Sequence, residues 1–268
     1  MIRNAQPTED RKVKVKLVPS ALSDRGLGQD QFLTSYRINE TLAIDAGSLG
    51  WAETVHEQAH VKHILITHTH MDHIASLPIF VENTYQGNKN CVTIYGSEAV
   101  LDCLRRDIFN DRVWPDFSRL AAEDAPFFKM ALLEAEKTIE LEGLRITPIP
   151  VDHVVPTFGF LVEEEGAAVV IVGDTGPTEA IWEYANRAAN LKAVFLEATF
   201  PDSMTSLAAV SKHLTPALFA REIQKLKQST RVVAVHIKAR YRAQVIPELQ
   251  ALGIPDLLIA TAGKVYTF

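Results

Sequence analysis

Short apolar runs recur along the whole chain, and polar or turn-forming residues bound each of them. Val13, Val15 and Leu17 alternate with lysines, a period-two pattern typical of a half-buried strand. Apolar or alternating runs predict further strands at 32–38, 42–44, 64–67, 92–95, 138–141, 144–149, 158–162, 167–172, 193–196, 232–236, 257–260 and 265–268. The chain is therefore rich in strands from end to end.

Helical patterns alternate with these strands. They predict helices over 97–109 and 178–188, and a third that starts at Thr215, a good N-cap, with Pro216 in the first helical position. A helical, aromatic stretch at 101–136 separates two strand-rich halves, and no linker rich in Pro, Gly or Ser divides them. We expect one α/β domain over 1–268, with two packed sheets, helices on the outer faces and a helical insert near 97–137.

Composition narrows the class of protein. The chain has 268 residues and 27 basic against 33 acidic side chains, a net charge of −6 that argues against tight binding of nucleic acid. Cys91 and Cys103 are its only cysteines, which excludes a disulfide scaffold and a Cys-rich zinc module. No apolar run approaches the roughly 18 residues of a membrane span, and 1–16 lacks a secretory or transit pattern. We therefore expect a cytoplasmic protein.

Candidate chemistry is densest directly after the buried strand Ile64-Leu65-Ile66. His68, His70, Asp72 and His73 lie within six residues, so three of the nine histidines are in one turn. Imidazole and carboxylate together suit zinc, iron or manganese, and a turn after a rigid strand keeps them within coordination distance. A polar loop that is rich in histidine by chance explains this density poorly, so we interpret the segment as a metal site.

Three more candidate ligands follow later strands. They are His153, Asp174 and His236, and strand ends are where α/β folds collect functional residues. Each alone is equally well explained as a polar strand cap or a core histidine. Together with the first four they make seven ligands, enough for two divalent metal ions, with zinc expected before iron or manganese.

The pattern resembles the metallo-β-lactamase superfamily, whose His-x-His-x-Asp-His motif and later His, Asp and His bind a dinuclear centre. The resemblance implies a four-layer αββα sandwich and a buried Asp45 that supports the motif loop. It also implies that one metal is bound by His68, His70 and His153, the other by Asp72, His73 and His236, with Asp174 bridging the two.

Further motifs indicate a branch of the superfamily. The chain has no cysteine near the second site, where zinc β-lactamases commonly have one. Residues 196–200 and 212–215 are similar to elements of phosphodiester-cleaving members such as tRNA 3′-processing endonucleases, although Leu196 replaces their histidine and their tRNA-gripping arm is not recognisable. Residues 70–78, 113–117, 173–177, 213–216 and 236–238 resemble the class II 3′,5′-cyclic-nucleotide phosphodiesterase-like branch.

These resemblances imply a phosphodiesterase for a small-molecule substrate, most of all a 3′,5′-cyclic nucleotide. Two metals would share a bridging hydroxide that attacks phosphorus. Asp72 would orient the hydroxide, and a protonated His213, held by Glu197, would protonate the departing oxygen. The alternatives are a tRNase Z-like nuclease, a hydrolase of thioesters or lactones, and a di-iron protein that binds oxygen or a small ligand without turnover.

Other features allow two interpretations each. His56-Glu57-Gln58-Ala59-His60 fits the zinc-protease pattern, but a complete site begins twelve positions on, so a solvated helix face is the better interpretation. Trp114 and Phe117 either stack on a nucleobase or belong to the core. The basic run of Lys238, Arg240 and Arg242 either attracts a phosphate or is a solvated loop. A homodimer is the default expectation for the assembly.

Overall fold

The structure, a computed structural model, describes residues 12–19 and 33–268. The strands are β1 (Lys14–Leu17), β2 (Tyr36–Ile38), β3 (Leu42–Ile44), β4 (His63–Leu65), β5 (Val92–Gly96), β6 (Phe128–Leu132), β7 (Ile139–Leu141), β8 (Leu144–Val151), β9 (Thr157–Glu164), β10 (Ala167–Ile171), β11 (Leu191–Glu197), β12 (Arg231–Val235), β13 (Leu258–Ile259) and β14 (Val265–Thr267).

The helices alternate with these strands. They are α1 (Leu49–Ala52), α2 (Val55–Gln58), α3 (Met71–Ile74), α4 (Leu77–Thr84), α5 (Glu98–Cys103), α6 (Phe117–Leu120), α7 (Ala180–Arg187), α8 (Thr205–Ser211), α9 (Pro216–Ile223) and α10 (Arg242–Ala251). A wider turn over Leu104–Ile108 extends α5. No helix within the two described ranges is both long and apolar enough to cross a membrane.

Over 12–19 and 33–268, the strands form two sheets of seven. The N-terminal sheet has the order β14-β1-β2-β3-β4-β5-β6, and the C-terminal sheet has the order β13-β12-β11-β10-β9-β8-β7. The last strand, β14, pairs antiparallel with β1, with Tyr266 opposite Val15. Strands β3 to β6 are parallel, as are β10 to β13, so the carboxyl ends of four neighbouring strands share one edge in each sheet.

Three apolar layers hold the sheets and helices together. The inner faces of the two sheets meet, with Leu65 and Ile38 in the same cluster as Val169, Phe195 and Val233. Helices α7, α9 and α10 cover the outer face of the C-terminal sheet. Helices α1, α4 and α5 cover the outer face of the N-terminal sheet. The order helix, sheet, sheet, helix confirms the predicted αββα sandwich.

One strand departs from the sequence prediction. The segment predicted as a helical insert near 97–137 contains α5 and α6, but also β6, which pairs parallel with β5 with Phe128 opposite Val92. Strand β6 is at the sheet edge and Leu132 is 55% exposed, so its residues do not alternate as in a half-buried strand. The single domain over 1–268 stays a prediction. Residues 1–11 of the polar segment 1–16, and residue 32 of a predicted strand, lie outside the described residues.

Candidate metal centre

The histidine motif lies on the loop between β4 and α3, at the carboxyl end of the N-terminal sheet. Asp45, at the end of β3, is wholly buried and adopts a left-handed conformation with φ 61°. Its carboxylate accepts hydrogen bonds from the Thr67 backbone N–H (2.8 Å) and from Nδ1 of His73 (2.7 Å). A β-carbon on Gly47 would lie 2.0 Å from the carbonyl oxygen of Asp72, so only glycine allows this approach. The turn after β3 thus positions the motif loop.

Three imidazoles converge at one side of the centre. Nε2 of His68 lies 3.0 Å from Nδ1 of His70, which lies 3.3 Å from Nε2 of His153. Ligands that share one tetrahedral zinc, each at about 2.0–2.1 Å, are separated by about 3.3 Å. The carbonyl oxygen of Lys212, 3.0 Å away, can only accept a hydrogen bond, so Nδ1 of His153 carries the proton and Nε2 presents its lone pair.

A second group lies beside the first. Nε2 of His236 lies 3.3 Å from Oδ2 of Asp72 and 3.5 Å from Oδ2 of Asp174. The same Asp174 oxygen is 3.2 Å from Nε2 of His73 and 3.8 Å from Nε2 of His68, so it lies between the two groups. His236 follows β12 with φ 53°, and its Nδ1 donates to the hydroxyl of Thr199 at 2.9 Å.

The protonation states of the three converging imidazoles favour metal binding. Burial and the neighbouring imidazole of His73 lower the pKa of His68 to about 2. Burial also lowers the pKa of His70 and of His153. Each of these rings is therefore neutral at neutral pH and offers a lone pair, which is the form that binds divalent zinc, iron or manganese.

The environment of His73 tests most directly whether these residues fit a metal centre. Its Nε2 is buried and has no hydrogen-bond partner, whereas its Nδ1 is held by Asp45. Burial works against a charge on this ring, but Asp174 and Asp45 outweigh it and raise the pKa of His73 well above its usual value. Two carboxylates therefore draw positive charge to this point. A divalent cation satisfies both the orphaned nitrogen and the carboxylates, so the residues fit a two-metal centre.

Both carboxylates of the centre are held in the ionised form. Burial favours the neutral acid, but for Asp72 the hydrogen bond and charge of His236 prevail and lower the pKa. For Asp174 the charges of His236 and His73 outweigh burial in the same way. Among the described residues, three groups place their ligand atoms within 4.8 Å of one another: His68 with His70, His153 and Asp174; Asp72 with His73 and His236; and Asp174 with His213 and His236.

A buried glutamate and a histidine flank the metal ligands. Glu197, at the end of β11, accepts from Nδ1 of His213 (2.7 Å), from the backbone N–H groups of Thr175 (2.8 Å) and Leu214 (3.1 Å), and from the hydroxyl of Thr199. The His213 ring stacks on that of His236 with centroids 5.6 Å apart. Burial opposes a charge on His213, but Glu197 outweighs it and raises the pKa of His213.

The structure brings the seven predicted ligands together with Asp45, Glu197 and His213. The two predicted aromatic contacts differ. Phe117 is only 5% exposed and stacks on Phe127 at 4.1 Å, so its ring packs in the core. Trp114 packs, partly buried, against the same cluster, and its contact with substrate stays a prediction.

The protease-like pattern has a different environment. His56 and His60 are exposed around the four-residue helix α2, and Glu57 forms a capping box with Thr54.

The sequence alone assigned no role to the Thr199 hydroxyl or to the backbone carbonyl of Lys212. Thr199 lies within a noted motif, so the motif was the signal. Lys212 acts through its backbone carbonyl, which no side-chain pattern reveals.

Comparisons with known proteins identify the family. A family model described as beta-lactamase superfamily domain matches residues 46–237. The chain belongs to this family, and it is a metallo-β-lactamase superfamily hydrolase, as the motif predicts. The divalent metal ions that the fold implies agree with the ligand cluster described above.

The individual relatives of this chain include phosphodiesterases of cyclic nucleotides and ribonucleases. The chain is 26% identical over 232 residues to a probable 3′,5′-cyclic-nucleotide phosphodiesterase of Yersinia pestis, which covers 74% of this chain and 66% of the relative. It is 24% identical over 245 residues to ribonuclease BN of Proteus mirabilis, covering 71% and 75%. The chain thus spans about two thirds of the phosphodiesterase relative's length. The crystal structure of unliganded yeast PDE1 has the same fold, with TM-score 0.76, 18% identity and coverage of 95% and 99%.

Proposed function

We propose that the protein is a two-metal phosphodiesterase whose substrate is a small phosphodiester, most of all a 3′,5′-cyclic nucleotide. The observation that carries the proposal is the His213–Glu197 pair beside the metal ligands. A hydrolase of thioesters expels a thiolate, which needs little help from an acid. An alkoxide leaving from phosphorus does need a proton donor, and such a donor is typically worth about 10²–10⁴-fold in rate.

In the proposed reaction, the metal ions and the side chains of the centre have separate roles. The ligands of the centre would hold two divalent ions, which would supply an activated water at neutral pH and positive charge beside the phosphate. His213 is held by Glu197, and its raised pKa keeps its proton available to higher pH than in a free imidazole. Its ring lies against His236, so the proton is carried at the edge of the centre. Asp72 would hold one metal and would also orient the attacking water.

The relatives support the choice of substrate class. A phosphodiesterase of cyclic nucleotides and a ribonuclease are both among the proteins that this chain resembles. Both names concern phosphodiester bonds. The net charge of −6 favours a small substrate over a nucleic acid, because a polyanion binds best to clustered lysine and arginine. The ribonuclease relative makes a tRNase Z-like nuclease the second candidate.

We also propose zinc as the resident metal, with iron or manganese as alternatives that share the same ligands. A cytoplasmic location and a homodimer complete the proposal. The location rests on the two free cysteines, which fit a reducing compartment, and the dimer on its frequency among oligomers.

The deciding experiment measures hydrolysis by metal-quantified protein. Bis(p-nitrophenyl) phosphate, 3′,5′-cyclic AMP, a precursor tRNA, a thioester and a lactone serve as substrates. The expected result is cleavage of the first two, lost in His70→Ala together with bound metal. The exposed histidine variant His60→Ala serves as the matched control and should retain both. Cleavage of the tRNA but not of cyclic AMP would favour the nuclease, and cleavage of the thioester or lactone alone would refute the proposal. Two bound irons without any turnover would favour the oxygen- or ligand-binding alternative.

A further inference from the structure

Lys238 brings a positive charge to the metal ligands. It lies two residues beyond His236, where the left-handed conformation of His236 (φ 53°) turns the chain after β12. The Nζ of Lys238 donates to Oδ2 of Asp72 at 2.8 Å, and the same oxygen lies 3.3 Å from Nε2 of His236. The turn thus delivers a metal ligand and an ammonium group to one carboxylate. The Lys238 side chain is 30% exposed, so it is open to a ligand from solvent.

The segment that carries Lys238 is anchored to the segment that carries His213. The backbone N–H of Tyr241 donates to the Lys238 carbonyl oxygen at 2.9 Å. The ring of Tyr241 packs against Phe200 with centroids 5.8 Å apart, and Phe200 packs against His213 at 5.7 Å. Lys238 therefore has a defined place relative to both His213 and the metal ligands. Of the basic run noted in the sequence, Arg240 is exposed and Lys238 contacts the centre.

An ammonium group has three N–H donors, and the bond to Asp72 uses one of them. A phosphodiester in the centre carries a negative charge on its non-bridging oxygens, which belong neither to the attacking water nor to the leaving group. Charge on such oxygens grows as the nucleophile adds, so a fixed cation stabilises the transition state as well as the substrate. An uncharged carboxylic ester or thioester offers no such anionic oxygen in its ground state.

We propose that Lys238 binds a non-bridging oxygen of the substrate phosphate and so makes the site selective for anionic phosphorus esters, an inference that rests on the phosphodiesterase proposed above. Asp72 holds the Lys238 side chain towards the centre, and the two remaining N–H donors are available to the phosphate. Lys238 is then a substrate-binding residue rather than a partner of Asp72 alone. Inorganic phosphate, which carries the same anionic oxygens, should bind to the same donors.

The test compares Lys238→Met and Lys238→Arg with Lys62→Met. Lys62 is the matched control because it also pairs with a carboxylate, Glu142 at 3.0 Å, and lies at the other end of β4 from the centre. Metal-loaded proteins, with metal content measured, are titrated with inorganic phosphate by calorimetry and assayed with bis(p-nitrophenyl) phosphate. We expect Lys238→Met to weaken phosphate binding and raise KM about 10- to 100-fold, as removal of a charged hydrogen bond does. Lys238→Arg should recover part of the loss, and Lys62→Met should match the native protein.

Two results would overturn the inference. One is a Lys238→Met protein with full metal content that binds phosphate as tightly as the native protein. The other is a Lys238→Met protein that loses metal but regains native phosphate affinity once reloaded, since Lys238 would then act on Asp72 alone. Failure of the native protein to cleave any phosphodiester would refute the proposed function instead. The phosphate titration would still decide the role of Lys238 in that case.

Discussion

Two histidine-rich segments, beginning at His56 and at His68, lie twelve positions apart and have opposite environments. His56 and His60 are exposed around the short helix α2, and their acidic neighbour Glu57 is engaged by Thr54. His68 and His73 are wholly buried after β4, and each ring has one nitrogen held by Thr67 or Asp45. Residue type and spacing suit a metal in both segments. What differs is that a buried ring with one nitrogen tied must direct the other at a fixed point.

The largest effect should separate the two segments directly. We expect His68→Ala to lose bound metal and to reduce phosphodiester hydrolysis to background, because it removes one of three converging nitrogens. His56→Ala, the matched change in the exposed segment, should retain native metal content and rate. Metal analysis after gel filtration, paired with the bis(p-nitrophenyl) phosphate assay, checks both. Equal losses in the two variants would contradict the assignment of the centre.

The next effect concerns His213, a third buried histidine with one nitrogen tied. His213→Ala should slow cleavage of a cyclic nucleotide by about 10²–10⁴-fold, because its alkoxide leaving group needs a proton. Cleavage of bis(p-nitrophenyl) phosphate should change little, since nitrophenolate leaves without help. A comparison of kcat for the two substrates at equal metal content provides the measurement. An equal loss on both substrates would contradict the role of His213 as a proton donor to the leaving group.

The pH dependence follows from the Glu197–His213 contact. Glu197 overcomes the effect of burial and raises the pKa of His213, so the ring stays protonated to higher pH. Activity on the cyclic nucleotide should therefore persist at neutral pH and fall as the pH rises through that raised pKa. Glu197→Gln removes the carboxylate charge, lowers the pKa of His213 and should move the falling limb to lower pH. A limb that does not move in the kcat profile would contradict this account.

A smaller effect tests how Asp45 supports the His73 ring. Asp45→Asn preserves shape but loses the charge that orients His73, and such supporting changes typically cost 10–100-fold in metal affinity. Glu57→Gln alters the acidic residue of the exposed segment and should leave metal affinity unchanged. Competition with a chelator of known affinity measures both. Native affinity in Asp45→Asn would show that ring orientation does not depend on the carboxylate.

The smallest effect belongs to the exposed segment alone. Thr54 caps α2 through the Glu57 backbone N–H, and Glu57 returns a hydrogen bond to the Thr54 backbone. Thr54→Ala should therefore lower the free energy of unfolding by about 1 kcal/mol, as a lost helix cap does. Chemical denaturation measures this change, and metal content should not respond. A loss of metal would mean that the two segments are coupled.

The sequence by itself determined the parts that depend on neighbouring residues. Apolar or alternating runs predicted most strands of both sheets, because burial of one or both faces of a strand selects apolar residues at neighbouring or alternate positions of the chain. The motif at 68–73 was readable for the same reason: four ligands on one turn share a site wherever the turn lies. Their positions after later strands marked His153, Asp174 and His236 as candidate ligands, and the resemblance to a known family then assigned them to the same site.

Only the tertiary structure decided how distant segments meet. Strand β6 escaped prediction because an edge strand is exposed on much of its surface and lacks strict alternation. Phe117 proved to be core because its ring is covered by Phe127, ten residues away. The carbonyl of Lys212 and the ammonium of Lys238 reach the centre through turns with φ 52° and 53° at Lys212 and His236. Backbone carbonyls and turn geometry leave no trace in side-chain patterns, so their contributions depend on the packing of the two sheets.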